Sequence, residues 1–426
     1  MILALLNDWD MEIVDVVTAF LYGDLEETIF MKIPAGLEEY LQTSFDEDDC
    51  VILNKSLYGL VQAARQFHKK LLDVMTNKLG FEKCKADECL LWKKSNKGTV
   101  IVCVYIDDTL CVGNREAIDE FKRELKEHFD TKEEGEMYEY VGCKVKREKR
   151  LELVMYQDDL IRKIEKFFGK GLTSMRAYDL PAGTGERVTR VKEGLITQRE
   201  QTRYRSGVGM LLFLVKYSRP DITNAVRELS KVNDGATRNH MKMLMRVMKY
   251  VLMSKNKGLQ YKLVPGGHER GTLRGYCDSN WAGDRNERKS VTGYCVYFMG
   301  CLIAWKSRSQ KNVTLSSSEA EYVAISEICC EIMFIKMVLE FLNVEVERPI
   351  KVFCDKIGAI YMSNNAKAGA RTKHIDVRYH HVREYVVDGV VDIVFVRSEE
   401  NDADIFTKNV GKKPFVKHTE KFMTRE

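Results

Sequence analysis

A chain of 426 residues exceeds one ordinary hydrophobic core and suits two or three domains. Hydrophobic residues at 45% and charged residues at 31% give the profile of a soluble globular protein. Lys+Arg 67 against Asp+Glu 63 leave a net charge of only +4, so bulk charge excludes any claim of nucleic-acid binding that does not rest on local basic faces.

The opening Met1-Ile2-Leu3-Ala4-Leu5-Leu6 is apolar but runs into Asn7-Asp8 without a basic start or cleavage site, so it does not read as a signal peptide. Residues 12–36 predict a strand, a turn at Gly23-Asp24 and a second strand. Leu60, Ala64, Phe67, Leu71, Leu72, Met75 and Leu79 fall largely on one helical face. Thr99–Tyr105 and Thr109–Val112 are apolar runs around Asp107-Asp108, a hairpin with acids at its tip. A charged amphipathic helix is expected over 116–129, then a hairpin from Tyr138–Lys146 and Leu151–Met155, then a helix over 157–168.

Pro181–Thr202 holds few large apolar residues and reads as a surface linker. Residues 204–255 read as wholly helical, with Arg219-Pro220-Asp221 opening a new helix, because Pro suits a first turn and Asp its positive end. Gly266-Gly267 mark a boundary. Beyond it come three strands, a long helix at Ser317–Leu342, a strand at Ile350–Cys354, helices, and a strand at Val391–Val396. No stretch approaches the roughly 18 to 20 apolar residues of a membrane span. The twelve cysteines are scattered without paired Cys-x-x-Cys spacing, so reduced buried thiols are expected rather than structural zinc or disulfides.

Two sets of acids carry chemistry. Asp15 ends a strand and Asp107 and Asp108 sit at a hairpin tip; three such acids on neighbouring strand ends would hold two Mg²⁺ ions about 4 Å apart for phosphoryl transfer. Taken alone, an Asp-Asp pair is more simply a hydrophilic turn. The surroundings argue otherwise. Asp15-Val16-Val17-Thr18-Ala19-Phe20-Leu21 with Gly23, Leu25, Glu27, Ile29, Met31, Pro34 and Gly36, then Lys55-Ser56-Leu57-Tyr58-Gly59-Leu60-Val61-Gln62-Ala63-Ala64-Arg65, then Tyr105-Ile106-Asp107-Asp108, follow one another in order. Tyr140-Val141-Gly142, Tyr204-Arg205-Ser206 and Arg219-Pro220-Asp221-Ile222 continue the series. Together these resemble the copia-type LTR retrotransposon reverse transcriptase, over nearly the whole chain.

The resemblance implies that Asp15, Asp107 and Asp108 are palm metal ligands, and that Phe20 lies against the incoming sugar and disfavours a 2′-hydroxyl. It places Gln62 and Arg65 on the helix lining the template and nucleotide pocket. By the same comparison the fingers would lie upstream of Met1, Val17 and Val61 stand where the family usually carries Lys, and Ala64 where it carries Pro. Weak or absent polymerisation by this chain alone is therefore expected.

The second set is Asp278 after an apolar strand, Glu321 near the start of the long helix, Asp355 ending a strand and Asp404 leading into a helix. Four such acids can converge on two Mg²⁺ ions and suit hydrolysis of a phosphodiester by metal-activated water. With Lys289-Ser290-Val291-Thr292-Gly293-Tyr294 and Trp305-Lys306 they resemble the RNase H domain of the same family, which makes all four metal ligands. Glu321 is preferred to Glu319 because it precedes Tyr322-Val323-Ala324. Lys373-His374-Ile375-Asp376 onward is also family-like; Arg371, Lys373, Arg378 and Arg383 suggest a basic helix on the hybrid backbone, with a histidine such as His374 helping product release near the metal site as the alternative.

The expected fold class is α+β and multidomain: a truncated polymerase palm with hairpin and helical thumb/connection, then an α/β RNase H-like domain with a mixed sheet. Its domains are 1–147 palm, 148–265 thumb/connection with a linker at 181–203, 266–410 RNase H-like, and 411–426 a C-terminal tail. The expected function is RNA-directed DNA polymerisation, impaired, together with two-metal hydrolysis of RNA in RNA–DNA hybrids. The cofactor would be Mg²⁺, two ions per site, with Mn²⁺ as substitute. Partners would be an RNA template, a DNA primer, the RNA–DNA hybrid and deoxynucleoside triphosphates, without a membrane, and self-association or a partner chain would supply fingers. The expected location is intracellular, in a cytoplasmic virus-like particle or the nucleus. The competing reading is a non-enzymatic relic or nucleic-acid-binding remnant of a decayed element.

Overall fold

The computed structural model describes residues 1–46, 48–264, 271–364 and 380–425. They divide into two compact units, the first ending at Met137 and the second running from Tyr138.

In the first unit a short helix, α1 (Ile2–Asn7), leads into β1 (Asp10–Val16). β2 (Phe30–Lys32) and β3 (Cys50–Ile52) flank α2 (Leu37–Leu41), and α3 (Ala63–Asp73) runs on into a wider turn at Val74–Lys78. β4 (Glu82–Lys83), β5 (Leu90–Ser95), β6 (Gly98–Tyr105), β7 (Asp108–Gly113), α4 (Arg115–Lys126) and β8 (Thr131–Glu136) complete it. The sheet order is β4-β5-β6-β7-β1-β8. Phe67 and Leu71 of α3 and Ile118, Phe121 and Leu125 of α4 pack with Val14, Val102 and Val104 in one core, as the helical spacing of those residues requires.

Residues 12–36 do supply a strand, a turn and a second strand, but the two strands do not pair with each other. Both edges of β1 are taken, by β7 and by β8, so the chain leaves through a 3-10 turn at Ala19–Tyr22 and β2 pairs with β3 instead. Gly23 is extended rather than left-handed. Its smallness serves a close approach, since a Cβ there would lie 2.6 Å from Ser56 Oγ and 2.9 Å from Gln66 Cβ.

The second unit opens with β9 (Glu139–Tyr140), β10 (Cys143–Lys149) and β11 (Glu152–Tyr156), which form a sheet with β12 (Leu259–Lys262). Between them lie α5 (Asp158–Phe168), α6 (Lys170–Thr173), α7 (Gln198–Tyr217), α8 (Thr223–Ser230) and α9 (Arg238–Met253). Thr197 caps α7 reciprocally with Glu200, and Thr237 caps α9 with His240. At the start of α8 the buried Arg219 guanidinium makes two bonds to Asp221, at 2.9 and 2.8 Å, and one to the Ser254 carbonyl; Tyr250 donates to Asp221 at 2.8 Å. Residues 181–197 are irregular, as expected of a linker, and 190–195 lie exposed, but part of the stretch from 181 to 189 is packed rather than free on the surface. Ala182 and Val188 are buried, the Val188 N–H donates to Glu228 Oε2 at 2.8 Å and Gly185 N–H to the Asn409 carbonyl at 2.7 Å. Those captured backbone groups satisfy the polarity that a buried loop would otherwise leave unpaired.

A five-stranded sheet follows, formed by β13 (Leu273–Asn280), β14 (Val291–Phe298), β15 (Cys301–Ser309), β16 (Ile350–Cys354) and β17 (Val391–Phe395). Its order is β15-β14-β13-β16-β17; the first three are antiparallel, and β16 and β17 run parallel to β13. The 25-residue α10 (Ser317–Phe341), capped by Ser316, lies against β13 and β14; α11 (Ile357–Asn364), α12 (His381–Val387), α13 (Asp404–Thr407) and α14 (Lys412–Thr419) complete the unit. The C-terminal segment is held by Phe415 and Phe422, both buried, and by Met423 bridging to Leu259. The observed fold class is thus α+β in more than one unit, with a mixed sheet in the second.

Two glycines decide how closely helices approach that mixed sheet. Gly275 of β13 faces α10, where a Cβ would lie 2.5 Å from Ile328 Cδ1. On the other face Gly293 of β14, the direct partner of Asp278, faces α13, where a Cβ would lie 2.6 Å from Thr407 Cγ2 and 2.9 Å from the Phe406 backbone. Gly293→Ala should therefore push α13 outward and cost about 1–3 kcal/mol. Urea unfolding monitored by circular dichroism would check this, and an unchanged midpoint would contradict the tight packing.

Candidate active sites

The first set of acids sits where β1 meets the β6–β7 hairpin. Asp15 and Asp108 are direct cross-strand partners, Tyr105 pairs with Asp108, and the Asp107 carbonyl accepts the Val16 N–H at 3.3 Å. The two-residue turn puts Ile106 at φ 59°, a conformation that costs a β-branched residue about 1–3 kcal/mol. Asp15, Asp107 and Asp108 are all half-buried. Phe20 lies in the 3-10 turn with its ring 4.7 Å from that of Tyr58. The Ser56 hydroxyl donates to the Phe20 carbonyl and Lys55 pairs with Asp24, which fixes the loop under α3. Gln62 donates to Glu27 at 2.8 Å, and Arg65 is exposed on α3. Among the described residues this set does not bring three ligand atoms within 4.8 Å of one another.

The second set does. Asp278, Asp355 and Asp404 each offer a carboxylate oxygen within 4.8 Å of the other two, and a second group of the same closeness joins Glu321, Cys354 and Asp355. Strand alternation explains the two groups. On β13 the odd positions face α10 and the even positions, including Asp278, face α13; Asp355, just past β16, belongs to both groups.

Each acid is positioned by a neighbour. Glu321 accepts from the Ser279 N–H at 3.1 Å and from its hydroxyl at 2.9 Å. Ser398 donates to Asp355 at 2.5 Å, and the Thr407 hydroxyl donates to Asp278. Asn401, fully buried, donates to the Cys277 carbonyl at 2.8 Å and so ties the Asp404 loop to β13. Glu319, by contrast, accepts the Leu315 N–H at 2.7 Å and closes the first turn of its own helix.

Burial raises the carboxyl of Asp278 to about 7, with the charges of Asp404 and Asp355 adding to the rise; Lys408 and the Thr407 bond oppose it. Burial, then Asp278, push Glu321 well above the usual range, and Asp404 also rises through burial. Lys408 reaches into the group, its Nζ 2.9 Å from Asp404 Oδ1 and 3.9 Å from Asp278 Oδ2. An ammonium in that place shows what the donor set calls for. Four hard oxygen donors gathered at one end of the sheet suit a divalent cation such as Mg²⁺.

Thr407, Lys408, Ser279 and Ser398 were not singled out by sequence reasoning. The first two stand three and four residues after Asp404, a helical spacing that could have suggested them. Arg371, Lys373, His374 and Arg378 lie outside the described residues.

Residues 1–182 match the family model described as reverse transcriptase (RNA-dependent DNA polymerase). Over 415 residues, 96% of its length, the chain is 35% identical to the retrovirus-related Pol polyprotein from transposon TNT 1-94 of Nicotiana tabacum. It is 31% identical, over the same share, to that from transposon RE1 of Arabidopsis thaliana. Residues 1–182 thus carry the reverse transcriptase family's domain, and nearly the whole chain is similar to copia-type Pol polyproteins. The chain spans 30% and 27% of the length of those two polyproteins. Among solved structures, an RNase H1 isolated from compost, LC11-RNase H1, is similar over 33% of this chain and 96% of its own, at 14% identity and a TM-score of 0.24. No helix among the described residues is long and apolar enough to cross a membrane.

The raised Asp278 pKa has a consequence for metal-free stability. Between pH 3.8 and about 7 the folded protein binds the Asp278 proton and the unfolded chain does not, so stability falls as pH rises through that window. Asp278→Asn carries no charge to desolvate and should raise metal-free stability at about pH 8, on the order of 2 kcal/mol. Thermal melts of both proteins in chelator between acid and neutral pH measure it; equal pH slopes would argue against a strained, buried Asp278.

Proposed function

We propose that this chain hydrolyses the RNA strand of RNA–DNA hybrids at Asp278, Glu321, Asp355 and Asp404, and that RNA-directed DNA synthesis at Asp15, Asp107 and Asp108 is weak in this chain alone. The reading rests above all on the convergence of Asp278, Asp355 and Asp404, with Glu321 joined to them through Asp355. Bound Mg²⁺, two ions with Mn²⁺ as substitute, would supply an activated water and charge neutralisation at the phosphate. The chain's own residues do the rest. Ser279, Ser398 and Thr407 aim Glu321, Asp355 and Asp278. Lys408, 42% exposed, can leave the carboxylates and turn its ammonium to the nucleic-acid backbone.

Selection for hybrids would come from 2′-hydroxyls on one strand and a DNA backbone on the other, with Arg371, Lys373 and Arg378 contributing phosphate contacts. For synthesis, Asp15, Asp107 and Asp108 would hold the ions, Phe20 would stand against the sugar of the deoxynucleotide, and Gln62 and Arg65 would face template and nucleotide. Val17 and the fully exposed Val61 put no charge where a triphosphate needs one. A second copy or a partner chain would make good that lack. Within this reading, residues 1–147 serve as palm, 148–265 as thumb and connection, 266–410 as RNase H-like domain and 411–426 as its C-terminal extension.

The test uses the full chain with a hybrid labelled on its RNA strand and, in parallel, a DNA primer on an RNA template. Mg²⁺-dependent RNA cleavage, lost in Asp278→Asn and Glu321→Gln, is expected, with primer extension near background. Binding of the hybrid without cleavage in either Mg²⁺ or Mn²⁺ would replace the enzyme by the binding remnant. Robust extension abolished by Asp107→Asn would overturn the weak-polymerase half.

A further inference from the structure

We propose that Cys354, Glu321 and Asp355 form a site for a thiophilic divalent cation, Zn²⁺ or Cd²⁺, which overlaps the carboxylate centre and competes with Mg²⁺. A thiol, a buried carboxylate and a half-buried one offer ligand atoms all within 4.8 Å of each other. Cys354 Sγ lies 3.8 Å from Glu321 Oε2, and it accepts the Lys356 N–H at 3.4 Å, which turns the sulfur toward the strand end where Asp355 sits. Cys277 lies within hydrogen-bond reach of Cys354 and places a second sulfur behind the first. One sulfur and two oxygens, with a further sulfur in reserve, is a donor set for a borderline or soft ion and not for Mg²⁺, which prefers oxygen alone.

Binding is balanced by proton release. The Cys354 thiol gives its proton to solvent as the S–metal bond forms, and any proton held by Glu321 is lost as its oxygen coordinates. Asp355 leaves an opening because it is only half-buried, whereas Cys354 and Glu321 are buried. Since Asp355 also belongs to the Asp278 and Asp404 group, a soft ion drawn to the sulfur removes one ligand from the hard-ion set. Inhibition of hybrid cleavage by Zn²⁺ or Cd²⁺ follows; this consequence rests on the function proposed above, while the site itself does not.

The test titrates Cd²⁺ into the full chain carrying Cys50→Ser and Cys330→Ser, which removes the two exposed thiols. A saturable thiolate-to-metal charge-transfer band in the ultraviolet is expected, absent in Cys354→Ser and in Cys354→Ala, and displaced to higher Cd²⁺ by excess Mg²⁺. Affinity should fall at least roughly tenfold with Glu321→Gln. A band unchanged by both Cys354 substitutions, or no band at all, would overturn the site. The second readout is hybrid cleavage, in which Cys354→Ser should relieve Cd²⁺ inhibition. If cleavage is absent while the band behaves as described, the hydrolase reading fails and the metal site stands.

Discussion

Asp278, Glu321, Asp355 and Asp404 come from a strand, a helix, a strand end and a short helix, and gathering them means burying like charges together. Water would solvate each acid separately, whereas the sheet end removes that water and brings the charges close. The rise of Asp278, Glu321 and Asp404 above the usual carboxylate range measures the conflict. Positive charge must offset it, and among the described residues the Lys408 ammonium reaches both Asp404 and Asp278. Everything else near the centre, from the serine and threonine hydroxyls to the two glycines, serves to hold four elements at a spacing they would not choose electrostatically.

That hold extends beyond the five-stranded sheet. α13, which carries Asp404 and Thr407, is followed by Asn409, whose side chain bonds Asn224 of α8 and the Glu186 carbonyl. Arg227 of α8 bonds Ser307 on β15, Lys231 pairs with Asp284, and the Trp305 indole donates to the Val215 carbonyl at 2.9 Å. α8 is itself anchored by the Arg219–Asp221 pair, with the Tyr250 hydroxyl and Ser254 completing its hydrogen bonds. A buried ion pair contributes little net stability compared with apolar packing, but loss of either partner leaves a bare charge, so it specifies one arrangement. The position of Asp404 thus depends on helices distant in sequence.

Helices and the acid-tipped hairpin were legible in the sequence because their signals are local. Phe67 and Leu71 mark a face of α3, and the apolar runs on either side of Asp107-Asp108 can close only on a short turn. The pairing of the strands before and after Gly23 was not legible because partner choice is non-local: β1 pairs with β7 and β8, and β2 with β3. The packing of residues 181–189 was illegible for a related reason. Their few apolar residues suggest exposure, but Ala182 and Val188 are buried and remote side chains such as Glu228 take up the backbone. Lys408 stands one helical turn after Asp404 in the sequence, but its approach to Asp278 depends on the fold that brings Asp278 beside Asp404.

One signal in the sequence had a physical meaning that only the register reveals. Tyr276-Cys277-Asp278 and Phe353-Cys354-Asp355 repeat the order aromatic, cysteine, aspartate. β13 and β16 are parallel with Tyr276 opposite Phe353, so the two tripeptides lie side by side in phase. Alternation then sorts them: the rings stack 4.8 Å apart on the face of the aspartates, and both sulfurs turn to the opposite face, toward α10 and Glu321. A slip of one residue would put thiols among the carboxylates and acids beneath the helix. The same register that gathers the aspartates on one face therefore places both thiols directly behind them. Asp355, at the strand end, belongs to both groups of ligand atoms, and Glu321 joins it on the side of the sulfur.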